Sequence, residues 1–252
     1  MNRYVWIVGW LLLVGGMVRL SSAAEPGEEL LHEGMEQAEA RAYSAALDAY
    51  DATIKQSPEL AEAYYWRGRT YFCLGQVKEA VADFDHYIKL APKFAPQQWE
   101  RGIAQYYAGD FTGGAKQFEV YQTYHDNDVE NSVWRYLCVA RDKGVAEAQK
   151  TMLPIQNDTR VPMMQIYDLY RGKLKPEDVL KAANADAPSE AAKNSRLFYA
   201  HLYLGLWYEA AGKSELAAKH VQTAESHKIG HYMWDVARVH NELRRPEKEL
   251  KK

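Results

Sequence analysis

The stretch AEAYYWRGRTYFCLGQVKEAVADFDHYIKLAP, residues 61–92, decides the fold that this sequence predicts. Its apolar residues recur at the spacing of a helix face on both sides of Gly75, which suits the positive φ of a turn after a helix. Gly68 and Ala80 are small enough to let two helices cross closely, and Pro92 ends the second helix. The stretch therefore predicts a helical hairpin.

This hairpin pattern recurs at a distance of 34 residues in both directions along the chain. The small, aromatic and proline positions coincide at Gly34, Ala46, Tyr50 and Pro58 before it, and at Gly102, Gly109, Gly114 and Phe118 after it. One hairpin cannot bury its apolar face alone, so consecutive hairpins are expected to stack on one another. The sequence contains no alternating strand pattern, and we expect an all-α solenoid.

A 34-residue repeat with these small and aromatic positions resembles the tetratricopeptide repeat (TPR), a helix-turn-helix unit that builds solenoids. The resemblance predicts three TPR repeats in residues 25–128. Residues 129–190 keep a helical periodicity without the repeat, and we expect a divergent helical middle there. Residues 191–245 are expected to form a C-terminal TPR-like repeat and a capping helix, and residues 246–252 a charged tail.

The composition restricts the function classes that the chain can serve. With 31 basic and 34 acidic residues the net charge is −3, so the basic excess of nucleic-acid-binding proteins is missing and no nucleic-acid partner is expected. The sequence contains no Gly-x-Ser-x-Gly elbow, phosphate-binding glycine loop or Cys-x-x-Cys motif. We therefore expect a non-enzymatic protein that binds no cofactor and no metal.

The two cysteines do not form the framework of a disulfide-rich protein. Cys73 and Cys138 both lie in apolar helical stretches, and free cysteine is among the most frequently buried residue types. We expect two small buried side chains. A single disulfide between them is the alternative if the compartment is oxidising.

The N-terminal residues have the organisation of a secretory signal peptide. Arg3 precedes an apolar run over residues 4–18, and Ser22 and Ala24 place small residues before a cleavage point. We expect residues 1–24 to be removed, which makes the mature protein exported, either periplasmic or secreted. An uncleaved N-terminal anchor is the alternative and would supply the attachment to a membrane.

Several motifs along the chain resemble one group of TPR proteins. They are ERGIAQYYAG at residues 100–109, the pairs Val133-Trp134 and Tyr136-Leu137, Tyr170 with GKLKPED at residues 172–178, and YLGLWY at residues 203–208 with Gly212. Together they resemble the NlpI-type adaptors of the bacterial cell envelope. The resemblance implies an all-helical, homodimeric, non-enzymatic protein that docks peptidoglycan hydrolases and a periplasmic processing protease. The lipid-bearing cysteine of those adaptors has no counterpart here, so we do not expect a lipid anchor.

The concave face of a TPR stack is lined by the first helix of each hairpin. In the second and third repeats the groove-facing positions are Tyr65, Arg69, Phe72, Trp99, Ile103 and Tyr106, and the first repeat has Met35 and Ala38 at the equivalent places. Aromatic and arginine side chains anchor many interfaces, so the six are predicted to bind an extended or helical peptide of a partner protein. An aromatic row at helical spacing is also typical of packing, and burial of each residue is the alternative.

Two other functions stay open from the sequence. His227 and His231 are four residues apart and Asp235 follows at the same spacing, which on one continuous helix could support a zinc-dependent enzyme site. Gly230 interrupts that helix, and no glutamate of the zinc-peptidase kind lies between the histidines, so we favour a surface turn. The remaining interpretation is a structural dimeric spacer whose aromatic residues are buried between subunits.

Overall fold

The computed structural model describes residues 27–244, which fold into thirteen α-helices and one 3-10 helix, with no strand in that part of the chain. The predicted all-α fold class is confirmed. The predicted signal peptide at residues 1–24 and the charged tail at residues 246–252 lie outside the described residues. Within the described range, no helix combines the length and the apolar character that crossing a membrane requires.

Three antiparallel hairpins begin the fold, as the repeat pattern predicts. Their helices are α1 (Glu28–Glu39) with α2 (Tyr43–Gln56), α3 (Ala61–Cys73) with α4 (Val77–Leu90), and α5 (Trp99–Ala108) with α6 (Phe111–Tyr121). A 3-10 helix at Pro92–Gln97 links the second hairpin to the third. Each hairpin packs on the next, so that the apolar faces of consecutive repeats are buried together.

The chain stays helical after the third hairpin. The divergent middle contains α7 (Val129–Lys143), α8 (Val145–Lys150), α9 (Met163–Tyr170) and α10 (Pro176–Asn184). The C-terminal part contains α11 (Glu190–Ala210), α12 (Ser214–Ser226) and α13 (Tyr232–Arg244). Helices α11 and α12 pair as a further hairpin, where the sequence predicts that the repeat returns.

Glycines in the first helices of the hairpins let the paired helices approach closely. A Cβ added to Gly34 would lie 2.4 Å from the ring of Tyr50, and one added to Gly68 would lie 3.3 Å from the backbone oxygen of Ala80. The prediction that Gly68 and Ala80 lie at a helix crossing is thus confirmed. Gly75 has a φ of 72° at the turn between α3 and α4, the left-handed conformation that its position predicts.

One apolar core runs from α3 to α13 and is rich in aromatic side chains. The rings of Tyr136 and Tyr170 meet edge to face with their centroids 4.9 Å apart. The Tyr170 hydroxyl donates a hydrogen bond to the backbone oxygen of Tyr203 at 2.8 Å, which joins α9 to α11. The divergent middle therefore packs into the same core as the repeats on either side of it.

Both cysteines are buried free thiols. Cys73 lies at the end of α3 and Cys138 in the middle of α7, which confirms the expectation of small buried side chains. Burial raises the pKa of the Cys73 thiol to about 12, so this side chain is protonated at neutral pH.

The last helix folds back into the concave side of the repeats. One face of α13 packs on α12, as predicted for a capping helix. On the other face, Arg238 donates a hydrogen bond to the last backbone oxygen of α3 at 2.6 Å, and the ring of Tyr232 lies 5.6 Å from that of Phe72. His240 contacts the hydroxyl of Tyr107 in α5 at 3.0 Å. Helix α13 therefore covers part of the surface that the sequence predicts to bind a peptide.

Candidate functional site

The six predicted groove residues lie on the concave side, but half of them are inaccessible. The exposed fraction is 0% for Phe72, 1% for Ile103 and 2% for Tyr106. Helix α13 covers Phe72, and the indole of Trp134 in α7 packs edge to face on Tyr106 at 5.5 Å. The prediction is therefore wrong for these three as contact residues, because their side chains are buried in the core.

Tyr65 and Arg69 surround a buried carboxylate that the repeat pattern does not reveal. The Tyr65 hydroxyl donates to Oε1 of Glu100 at 2.8 Å, and Arg69 donates to the same oxygen at 3.3 Å. Burial raises the pKa of Glu100, and the charge of Arg69 and the hydrogen bond from Tyr65 oppose that rise. The guanidinium of Arg69 also lies 4.4 Å from the ring centroid of Tyr232, so it contacts α13 as well.

An open cleft of about 540 Å³ remains between the first repeat and the N-terminal end of α13. Its walls include Met35 and Ala38 of α1, Trp66 and Arg69 of α3, and Tyr232 and Asp235 of α13. Met35, Ala38 and Arg69, three positions that the repeat register predicts to face the groove, line this cleft. Trp66 is half-buried, and no groove position predicted it.

Charged side chains fasten α13 to the first hairpin at the edge of this cleft. The Arg41 guanidinium lies 4.4 Å from the ring centroid of Trp234 and 3.2 Å from Oδ1 of Asp235. Arg238 lies 3.4 Å from the same carboxylate oxygen. No sequence pattern predicts these contacts, because the turn between α1 and α2 is almost two hundred residues from α13.

The three residues of the zinc interpretation do not converge on one point. Nδ1 of His227 lies 2.9 Å from the amide oxygen of Asn194, whereas Asp235 pairs with arginines. The ring of His231 stacks on Trp99, with the centroids 6.3 Å apart. Across residues 27–244, no group of three or more histidine, cysteine, aspartate or glutamate side chains is arranged to hold a metal ion.

Comparison with protein families identifies the repeat itself. Residues 61–94 match the family model of the tetratricopeptide repeat. The matched segment contains α3, α4 and the start of the 3-10 helix, which is the hairpin on which the fold prediction rests. The TPR resemblance is therefore confirmed.

Two characterised relatives match over short segments. The protein SGT1 homolog of Bos taurus is 25% identical over 111 residues, which cover 42% of this chain and 33% of that protein. The tetratricopeptide repeat and J domain-containing co-chaperone DNJ1 of Cryptococcus neoformans var. grubii is 29% identical over 89 residues, which cover 35% of this chain and 17% of that protein. The chain thus matches a third or less of the length of either relative.

A solved structure supports the architecture over most of the chain. A tetratricopeptide repeat protein from Parabacteroides merdae superposes with a TM-score of 0.53 at 14% identity, covering 86% of this chain and 83% of that one. At this identity the likeness shows a shared fold. The TPR-like helical solenoid predicted from the sequence is confirmed.

Proposed function

We propose that this tetratricopeptide-repeat chain is a scaffold that binds a segment of a partner protein in the cleft between α1, α3 and the N-terminal end of α13. The observation that carries the proposal is the lining of that cleft. The Arg69 guanidinium lies 5.2 Å from the ring centroid of Trp66, and Met35 also lines the cleft. Tryptophan, arginine and methionine are enriched in protein interfaces. These side chains belong to rigid helices, so little conformational freedom is lost when a partner binds.

The cleft carries charges of both signs, which would orient a bound segment. Glu36 and Glu39 lie on the α1 wall, and Arg41 and Arg69 lie elsewhere in the lining. Arg69 is already paired with Glu100, whereas the side chain of Glu36 is 66% exposed. A basic residue of the partner beside α1 would therefore find a carboxylate accessible to it, and charge pairing of this kind contributes to specificity.

The location and partner class extend this proposal. The signal-like N-terminal residues and the resemblance to NlpI-type adaptors favour an exported protein that docks peptidoglycan hydrolases or an envelope protease, without catalytic activity of its own. The same resemblance favours a homodimer. The half-buried Leu30 and Leu31 of the first repeat, which do not line the cleft, are our proposed contact surface, and the mass of the protein in solution tests it.

Site-specific photocrosslinking in the native envelope tests the cleft. A photoreactive amino acid at Met35 or Trp66 should capture a defined protein, which mass spectrometry identifies. The matched control places the same group at Leu216 on α12, a side chain that is 41% exposed and lies outside the cleft. Capture of the same proteins from Leu216 would contradict the proposal.

A binding measurement with the purified proteins then shows whether the captured protein binds specifically. The protein identified above should bind the native chain and bind the Trp66→Ala variant at least about tenfold more weakly, since truncating an interface tryptophan commonly costs ~2 kcal/mol or more. Unchanged binding by a variant with native helicity would remove the cleft from consideration.

A further inference from the structure

A second cavity, of about 180 Å³, lies on the other side of the turn that precedes α13. Its apolar lining is mostly aromatic and comes from four helices: Trp99 of α5, Phe118 and Tyr121 of α6, Trp134 of α7, and Met233 of α13. The volume is well below the ~300–1,000 Å³ of sites for drug-sized molecules, so this cavity fits a small ligand or one chemical group.

The polar side of the cavity has more carboxylates than cations. Arg160 donates to Oδ1 of Asp128 at 2.6 Å, to Oε1 of Glu130 at 2.7 Å and to Oδ2 of Asp158 at 2.6 Å. One guanidinium therefore faces three carboxyl groups, two of which line the cavity. Burial, and next the charge of Asp128, raise the pKa of Glu130 to about 7, while the charge of Arg160 and the hydrogen bond from Tyr203 oppose the rise, so Glu130 is fully ionised only above neutral pH.

The carboxylate oxygens already accept hydrogen bonds from the protein. Oε2 of Glu130 accepts from the Tyr203 hydroxyl at 2.5 Å, and Oδ2 of Asp128 accepts from the Tyr121 hydroxyl at 3.3 Å. The carboxylates therefore have little capacity left to accept hydrogen bonds from a ligand. The cavity can instead attract a ligand through its negative potential and its aromatic side chains. Those two features suit a cation that has no N–H groups to donate, such as a quaternary ammonium.

Two residues of the cavity wall each have a buried polar atom without a partner. Oδ1 of Asn131 and Nε1 of Trp134 make no hydrogen bond within residues 27–244, although the two side chains are only 3% and 2% exposed. The amide nitrogen of Asn131 donates to two oxygens, so its own oxygen is the unsatisfied acceptor. The two residues are three positions apart on α7 and therefore adjacent on one helix face. A hydroxyl group can donate to one and accept from the other.

We propose that this cavity binds a small quaternary ammonium compound that carries a hydroxyl or ether oxygen. The ammonium group lies among Trp99, Tyr121 and Trp134, where the field of Asp128 and Glu130 compensates its charge. A hydroxyl group there donates to Asn131 and accepts from Trp134, whereas an ether oxygen only accepts from Trp134. His231 lines both this cavity and the partner-binding cleft, but none of the residues proposed to hold the ammonium compound lines the cleft, so failure of this site would leave that proposal intact.

Choline is the probe that tests this assignment, and its uncharged analogue with carbon in place of nitrogen is the matched ligand control. Titration calorimetry with the full chain should show choline binding. The analogue, which has the same shape and hydroxyl, should bind about tenfold or more weakly, because the cation–π attraction is lost. Choline should also shift the indole N–H resonance of Trp134, assigned from a Trp134→Phe spectrum.

Variants test the carboxylates that supply the negative electrostatic potential of the cavity. Above neutral pH, where Glu130 is ionised, Glu130→Gln and Asp128→Asn each remove one negative charge, and asparagine preserves the helix cap at Asp128. Each should weaken choline binding by about fivefold or more. Glu119→Gln is the control, since Glu119 also pairs with an arginine, Arg135, but does not line the cavity. Thermal melting confirms that each variant is folded.

Equal affinity for choline and its uncharged analogue would overturn the proposal, as would unchanged binding by both charge variants. Absence of choline binding by the native chain would also overturn it. Cosedimentation with phosphatidylcholine vesicles distinguishes the source of the group. Binding to free choline and to vesicles identifies a lipid headgroup, and binding to free choline alone identifies a soluble compound; either result supports the ammonium site.

Discussion

The first repeat and the two repeats after it present the same helix positions to different surroundings. Ala38, Phe72 and Tyr106 stand 34 residues apart, yet Ala38 lines the open cleft while Phe72 and Tyr106 are buried. Helix α13 covers the concave side of α3, and α7 packs against α5. The repeat register therefore tells which side of a helix is concave, whereas elements outside the repeat decide whether that side is accessible.

A charge on the buried face of α13 should have the largest effect on the difference in accessibility between the first repeat and the later repeats. Val236 is fully buried, so Val236→Asp places an uncompensated carboxylate in the core at a cost of about 3–5 kcal/mol. We expect hydrogen exchange to accelerate in α3 and α5 more than in α1, because the later repeats lose their cover.

The control for that variant lies on the same helix. Leu243 is 40% exposed, and Leu243→Asp should change the free energy of unfolding far less. If α1 exchanged as fast as α3 in Val236→Asp, the contrast between covered and open repeats would not hold.

Acidification should weaken the contact between α13 and α5 through His240. Burial lowers the pKa of His240 to about 4, and the positive charges of Arg244 and Arg141 act in the same direction while Glu209 opposes them. The unfolded chain binds this proton near pH 6.5 and the folded chain does not, so the free energy of unfolding falls as the pH drops from 6.5 to 4. The full loss is about 3 kcal/mol.

Chemical denaturation at several pH values measures this contribution. His240→Gln should show a smaller loss of stability over that range than the native chain. His32→Gln should follow the native profile, because His32 lies on α1 with a side chain that is 74% exposed. Parallel profiles for all three proteins would assign the acid sensitivity to other groups.

Substitution of equivalent glycines by alanine should destabilise the protein to different extents in the first and third repeats. An added Cβ would lie 2.7 Å from the ring of Phe118 at Gly102 and 2.4 Å from the ring of Tyr50 at Gly34. Overpacking costs about 1–3 kcal/mol, which exceeds the ~1 kcal/mol that alanine gains in a helix. We expect Gly34→Ala to lose about 2 kcal/mol and Gly102→Ala about 1 kcal/mol, since the added Cβ comes closer to a fully buried ring at Gly34. Denaturation midpoints compare them, and equal losses would contradict this reasoning.

The link between the first hairpin and α13 should contribute least. Arg41→Ala removes a cation–π contact with Trp234 and an ion pair with Asp235. Because the side chain of Arg41 is 50% exposed, we expect the free energy of unfolding to fall by only about 0.5–1 kcal/mol. Arg41→Lys keeps the positive charge and should therefore retain part of this stabilisation. High salt should reduce the difference between native and Arg41→Ala proteins, and a salt-independent difference would argue against the ion pair.

Local rules account well for the hairpins. Gly68, Ala80 and Gly75 occupy the crossing and the turn that their sizes and backbone freedom predict. Tyr232 begins a helix, as its apolar spacing predicts. The residues of the candidate site were harder to predict from local rules. Glu100 and Trp66 gave no signal, because a single charged or aromatic residue on a helix does not reveal what will pack against it.

The amino-acid sequence by itself determined the repeat, its period and the concave side of each first helix, since these depend on residues within one hairpin. Only the tertiary structure decided which concave positions remain open, because α13 returns to α3 and Arg41 meets Asp235 across the length of the chain. It also brought Arg160 to Asp128 and Glu130, and so built the second cavity. Periodicity records local burial, whereas docking between distant helices leaves no periodic trace in the sequence.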